Sequence, residues 1–248
     1  MSLTIPAARS DADAVSDAVV DRSTSQDLAG RIRAAAREHG ATHALTLLHA
    51  ATLSGVLPAG PGGHVLVPES VAAAGSHYDT PQGPRPRRPG GGEELLARLP
   101  QPDGEALVAL RVPGAGPGPE GGAAFADGLV ALRLGLAERA LREAADRLKN
   151  RTVQGTVMLH LPLVRALVAD AACGLAEARA LLSAPADQQG PTELRRAHRA
   201  LDESGRTCLH LLGAAGFLTG GTGDLVRVSE LLADTYAPPP PVPEGDRT

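Results

Sequence analysis

Apolar residues recur at spacings of three and four along much of this chain, and that period predicts amphipathic helices. Phe125, Leu129, Leu132, Leu136, Ala140, Ala144 and Leu148 form one stripe. Val164, Leu167, Ala171, Leu175, Ala178 and Leu182 form a second, begun by Pro162, whose fixed φ and missing N–H suit a first helical turn. Leu194, His198, Leu201, Gly205, Cys208 and Leu212 form a third, opened by Pro191 and Thr192. A fourth carries Leu225, Val228, Leu231, Leu232 and Tyr236, with Asp224 expected as its cap. Short connections between long helices favour antiparallel neighbours, so residues 123–237 are expected to form a four-helix bundle.

The pattern is weaker upstream. Residues 1–23 are rich in Ala, Asp and Ser and are expected to be disordered. Residues 24–58 read as an N-terminal helical segment, with Leu28, Ile32, Ala35, His39, Thr42, Leu45, Leu48 and Thr52 on one face and Ser25 as its N-cap. Gly40 interrupts it, which leaves one helix or two short ones. In residues 59–122 Pro and Gly crowd out regular periodicity, most densely at 84–92 and 113–119. Two strand-like runs lie inside, His-Val-Leu-Val at 64–67 and Ala-Leu-Val-Ala-Leu-Arg-Val at 106–112, with a short helix expected over 93–99. This is a reduced β-containing middle segment. The four consecutive prolines that begin at Pro238 end the helical pattern, and residues 238–248 are expected to be a disordered tail.

Composition narrows the function classes. With 248 residues the chain is long enough for a sizeable core, and at 2% aromatic content that core must be built of Leu, Val and Ala. A net charge of -4 gives no concentrated positive field for nucleic acid. No apolar run approaches the ~18 residues that span a bilayer. The polar, acidic start lacks the order of a signal peptide, so a cytoplasmic protein without membrane partners is expected. Cys173 and Cys208 both fall in apolar helical patterns and read as buried free thiols, with a disulfide or a reactive thiol as the alternatives. Arg85, Arg87 and Arg88 read as a solvated loop or a phosphate contact. His39 and His43 have i, i+4 spacing but no acidic residue completes a zinc motif, so no metal is expected.

Two short runs carry a family resemblance. Residues 151–155 are Arg-Thr-Val-Gln-Gly, between the first and second stripes, and Leu-Leu-Gly-Ala-Ala-Gly-Phe at 211–217 closes the third. Together they resemble the C-terminal helical domain of acyl-CoA dehydrogenases, a family built as an N-terminal helical domain, a middle β domain and a C-terminal four-helix bundle. The expected fold is therefore mainly α, an acyl-CoA dehydrogenase-like bundle with a reduced β-containing middle segment and a short N-terminal helical part. In the family an Arg-x-x-Phe-Gly motif follows the first bundle helix, and its Arg reaches the FAD pyrophosphate of a neighbouring subunit. Arg151 and Gly155 stand at that motif, with Gln154 in place of the aromatic. A guanidinium suits the task because its fork of donors fits phosphate oxygens and keeps its charge. The family's third helix ends in Gln followed by Gly-Gly-x-Gly-Tyr, which lies against FAD. Here His210 stands near the Gln, and Gly213, Gly216 and Phe217 stand near the glycine run. Small residues let backbone approach a cofactor closely. The resemblance thus implies FAD as cofactor, with Arg151, Gly155, His210, Gly213, Gly216 and Phe217 at its site.

The resemblance implies CH–CH oxidation, or a derived reaction, on an acyl thioester of CoA or a carrier protein, in a homo- or hetero-oligomer formed through the bundle. The family's catalytic Glu follows the fourth bundle helix, where this chain runs into proline and places Glu244 in the tail. Its alternative position lies early in the first bundle helix, where Phe125 and Ala126 stand; nearby Asp127 is expected to cap that helix. Abstracting a proton beside a thioester needs a positioned carboxylate. The other expectation is therefore a non-catalytic partner that completes a companion dehydrogenase.

Overall fold

A computed structural model describes residues 11–239 apart from 89, 103, 119–121, 186–187 and 219, with side chains described from residue 26. Its longest element is α1 (Asp11–Thr52), broken at Gly40, whose φ of 84° lies outside the helical region. The helix thus begins ahead of the expected cap at Ser25, and of the two alternatives left open at Gly40 the chain takes two helical limbs. The break also resets the buried face. Ile32, Ala35 and Ala36 are buried before it and Ala41, Ala44, Leu45 and Leu48 after it. His39, expected on the apolar face, is exposed instead, edge-to-face with exposed His43 at 5.1 Å.

The middle segment folds as two small sheets. Strands β1 (Val56–Leu57), β3 (His77–Tyr78) and β4 (Arg85–Pro86) make one, with β1 parallel and β4 antiparallel to β3. Strands β2 (His64–Pro68), β6 (Leu107–Arg111) and β5 (Glu94–Leu99) make the other, antiparallel in that order. A single turn, α2 (Glu69–Ala74), joins β2 to β3. Alternation puts Val65, Val67, Val108 and Leu110 in the core under the first sheet and sends Leu66 and Leu107 into the helical core. Residues 93–99 were expected to form a helix, but 94–99 form the edge strand β5. Its backbone pairs with β6 across a bulge between Leu95 and Ala97, and that pairing overrides a weak local preference.

The bundle comprises α3 (Gly122–Lys149), α4 (Pro162–Leu182), α5 (Pro191–Leu212) and α6 (Thr222–Tyr236). Pro162 and Pro191 open their helices as expected, and Glu193 accepts the Gly190 N–H at 3.1 Å. Asp224 is inside the first turn of α6, accepting the Gly220 N–H at 2.6 Å, while Gly221 occupies the cap. Asp127 lies beyond the first turn of α3 and so does not cap it. The packing clusters fix an up-down-up-down order. Val130, Leu134 and Ala137 of α3 meet Leu175 and Ala178 of α4 and Ala197 and Leu201 of α5, whereas Ala140 and Ala144 meet Ala171, Cys208, Leu212 and Val226.

Helix α3 is more than one face of this bundle. Every residue from Gly128 to Ala137 is buried, because α1 covers the side that α4, α5 and α6 leave open. Glycine permits the closest crossings: a Cβ on Gly128 would collide with Leu48, and one on Gly135 with the Arg33 carbonyl and, at 2.8 Å, with Ala36 Cβ. Between α4 and α5, a Cβ on Gly174 would collide with Ser204 Oγ. At the α1–α3–α4 junction Glu138 accepts from Arg33 at 2.6 and 3.0 Å and from Arg179 at 2.7 Å. Cys208 is buried as expected, its thiol pushed up to about 11 by burial, but Cys173 is exposed on the outer face of α4.

These crossings predict opposite responses to one substitution in two helices. Gly135→Ala should lower the stability measured by urea unfolding by about 1–3 kcal/mol, the usual penalty of overpacking. Gly30→Ala in α1, where an added Cβ meets nothing within 4 Å, should be neutral or stabilising by up to about 1 kcal/mol.

Candidate functional site

Two regions of the bundle carry polar or open features, one at each end. At the first, α3 runs into a hairpin of β7 (Thr152–Val153) and β8 (Thr156–Val157). Its turn is Gln154 and Gly155 with φ of 50° and 79°, a two-residue turn whose twist suits paired strands. Gly155 thus has a local reason to be glycine. Arg151 precedes the hairpin, its side chain exposed and its carbonyl accepting the Met158 N–H at 2.8 Å.

The second predicted run ends α5. His210 is exposed on the last turn, and Gly213, at φ 56°, stops the helix. The chain then makes a 3-10 turn, Gly213–Phe217, in which Gly216 is buried against Leu209 and Leu212 while Phe217 remains 78% exposed. Since α3 and α5 run the same way, both runs lie at one end of the bundle. Thr222 of α6 ties that end together, donating to Glu143 of α3 at 2.7 Å. Val153, Leu163, Phe217 and Leu218, all large and apolar, are exposed there.

The other end is formed where the bundle meets the β module. Phe125 stacks edge-on with His49 at 5.9 Å and with Tyr236 at 5.3 Å. The Tyr236 hydroxyl donates to the Leu66 carbonyl at 3.0 Å and accepts the Leu66 N–H at 2.8 Å, fastening the end of α6 to β2. Burial pushes the Tyr236 pKa up and pulls His49 down to about 4, and His49 Nε2 has no hydrogen-bond partner. Beside this cluster opens a cavity of about 350 Å3. Phe125, Ala126 and Leu129 of α3 form its floor, Pro58, Ala59 and Pro61 one wall, and Pro238 and Pro239 another. Asp79 and Gly118 close a third side, the Gly118 N–H donating to Asp79 Oδ2 at 3.2 Å, and His198 of α5 completes the lining.

Behind His198 lies a charge that sequence reading passed over. Arg133 is fully buried in α3. Its guanidinium donates to Ser229 Oγ at 3.0 Å, to His198 Nδ1 at 2.6 Å and to Asp202 Oδ1. Burial pulls the Arg133 pKa down, opposed by Asp202, and raises Asp202, opposed by Arg133. Burial, reinforced by the Arg133 charge, lowers His198 to about 3. The legible signal was an arginine inside the run Leu-Val-Ala-Leu-Arg-Leu-Gly-Leu at 129–136, a place where a charge must be paired.

The C-terminal helices match the family model described as acyl-CoA dehydrogenase, C-terminal domain, over residues 128–236. The bundle is thus similar to the C-terminal domain of acyl-CoA dehydrogenases, as the resemblance implied. The solved "Tcur3481-Tcur3483 steroid ACAD G363A variant" is similar at TM-score 0.52 and 18% identity, covering 81% of this chain and 69% of that one. The acyl-CoA dehydrogenase from Slackia heliotrinireducens DSM 20476 is similar at TM-score 0.57 and 11% identity, covering 84% and 76%. Butyryl-CoA dehydrogenase from Megasphaera elsdenii matches at TM-score 0.47 and 15% identity, covering 79% of this chain and 61% of its own. No curated protein sequence matches significantly. The mainly helical, acyl-CoA dehydrogenase-like architecture is as the resemblance implied. Of the two positions for the family's base, α3 brings Phe125 and Ala126 to the cavity, while half-buried Asp127, its pKa raised by burial, borders α4 and α5 instead. After α6 the chain brings Pro238 and Pro239, and Glu244 lies outside the described residues.

A depressed histidine binds protons more readily unfolded than folded, so its contribution to stability is complete above about pH 6.5 and declines as pH falls toward its folded pKa. With His49 at about 4, the protein should lose on the order of 3 kcal/mol through this residue between pH 7 and pH 4. His49→Leu should flatten that part of the profile in urea unfolding at stepped pH; an unchanged slope would contradict the assignment.

Proposed function

We propose that this protein is a flavin-associated subunit of an acyl-CoA dehydrogenase-type assembly handling an acyl thioester, and that it completes a companion's FAD site rather than abstracting a proton itself. One observation carries this reading: among the described residues, the positions from which the family delivers its carboxylate hold Phe125, Ala126, Pro238 and Pro239. Proton removal beside a thioester requires a base within hydrogen-bond reach, and apolar side chains cannot supply one.

The opposite end of the bundle has what a donated site needs. Arg151 is exposed, and Val153, Leu163, Phe217 and Leu218 leave apolar surface beside it that a neighbouring chain would cover. In the assembly, Arg151 would hold the FAD pyrophosphate and the glycine turn Gly213–Phe217 would let backbone lie against the cofactor, as the family resemblance implies. The bound flavin would supply hydride acceptance from the acyl carbon, on the companion's side. His210, exposed on the last turn of α5, and Gly155, in the hairpin turn, would border the same contact.

The test is co-expression with an intact dehydrogenase-like subunit. The two chains should co-elute as a hetero-oligomer, and Arg151→Ala should preserve assembly while weakening FAD retention by about tenfold or more, the scale of one lost charged hydrogen bond. A chain that stays monomeric beside every such companion would contradict the proposal.

A further inference from the structure

The cavity beside Phe125 lies at the end of the bundle away from Arg151, and what it can bind follows from its own walls, independently of the partner role above. Its volume of about 350 Å3 lies within the range of small-molecule sites, roughly 300–1,000 Å3. Phe125, Leu129, Ala59 and the flanking prolines make the lining apolar and stiff, and no Lys or Arg is among its described residues. Nothing there would neutralise an anionic ligand. Asp79 faces Gly118 so closely that a Cβ on that glycine would collide with the carboxylate, so Asp79 belongs to the wall. The Tyr236 hydroxyl is committed as both donor and acceptor to Leu66.

That leaves His198, whose protonation pattern the geometry fixes. A guanidinium has donors and no acceptor, so at 2.6 Å from Arg133 Nη1 the His198 Nδ1 must be the acceptor. The imidazole is then neutral and carries its proton on Nε2. Burial and the Arg133 charge, which hold its pKa near 3, keep it so through neutral pH. Asp202 and Ser229 fix the guanidinium, and through it the ring. We infer that this cavity binds a neutral, largely hydrocarbon molecule bearing a carbonyl or hydroxyl oxygen, with His198 Nε2–H donating to that oxygen and Arg133 acting as the positioning residue behind it.

A matched pair of probes tests this on the full chain. 1-Indanone and indane share a hydrocarbon frame and differ in one carbonyl oxygen. Histidine ring 1H–15N spectra should report His198 as the Nε2–H tautomer at neutral pH, and that signal should move on titration with 1-indanone and not with indane. 1-Indanone should bind about five- to tenfold more tightly, the worth of one net hydrogen bond. Ala126→Leu fills the cavity without touching Arg133 and should abolish binding of both probes while leaving the tautomer signature intact. His198→Phe should equalise the two affinities if it folds, and Ala126→Leu decides the matter if it does not. Displacement of 1-indanone by octanoyl-N-acetylcysteamine would assign the oxygen to an acyl thioester; persistence of 1-indanone would assign it to a free ketone or alcohol, and both support the site. Equal affinity for the two probes, no binding of either, or an Nδ1–H tautomer would overturn it.

Discussion

Helix α3 has no solvent-facing side from Gly128 to Ala137, and the rest of the architecture depends on how that constraint is met. A helix with apolar residues all around must be covered all around. Here α1 takes one side and α4, α5 and α6 the others, and Gly128 and Gly135 let α1 approach within backbone distance. The cost of such burial falls on Arg133, which sits in the middle of the covered stretch. Desolvating a guanidinium is tolerable only when its donors are matched, and Asp202, His198 and Ser229 from two further helices match them. One charge on the central helix thereby fixes the relative placement of α5 and α6.

That network also reaches the cavity between the bundle and the β module. His198 faces the cavity and is held by the same guanidinium that grips Asp202 and Ser229 inside the bundle. Tyr236, at the end of α6, fastens the bundle to β2 and contributes to the same wall. The cavity is thus built by the joint between bundle and β module, which is where two of the four Phe and Tyr residues of this aromatic-poor chain are found. The far end has a different character, with an exposed arginine, a tight hairpin and uncovered apolar side chains. Among the described residues no helix is long and apolar enough to cross a membrane.

Much of the bundle was legible in the sequence because its signals are local. Every member of the Phe125 to Leu148 stripe is buried, and Pro162 and Pro191 begin helices for the reason their chemistry suggests. What was not legible depends on partners distant in sequence. Residues 94–99 have no strong preference of their own and become a strand because β6 offers an edge. His39 was assigned to the buried face by unbroken periodicity, which the φ of Gly40 interrupts. Cys173 follows an apolar pattern yet faces outward, since α4 is covered on one side only. The cavity was invisible for the same reason: Pro58, Asp79, Ala126, His198 and Pro238 come from five separate stretches of chain. The resemblance pointed to Arg151 and Gly213, whereas the buried Arg133 required seeing which helices surround it.

In the proposed assembly this chain keeps an acyl-CoA dehydrogenase-like bundle while serving a flavin bound chiefly by another subunit. The most direct measurement is the visible absorbance spectrum of the purified chain alone, titrated with FAD. No flavin band should be retained after desalting, because Arg151 and the Gly213–Phe217 turn would offer only one edge of a cofactor site. A stoichiometric flavin band on the isolated monomer would contradict the proposal.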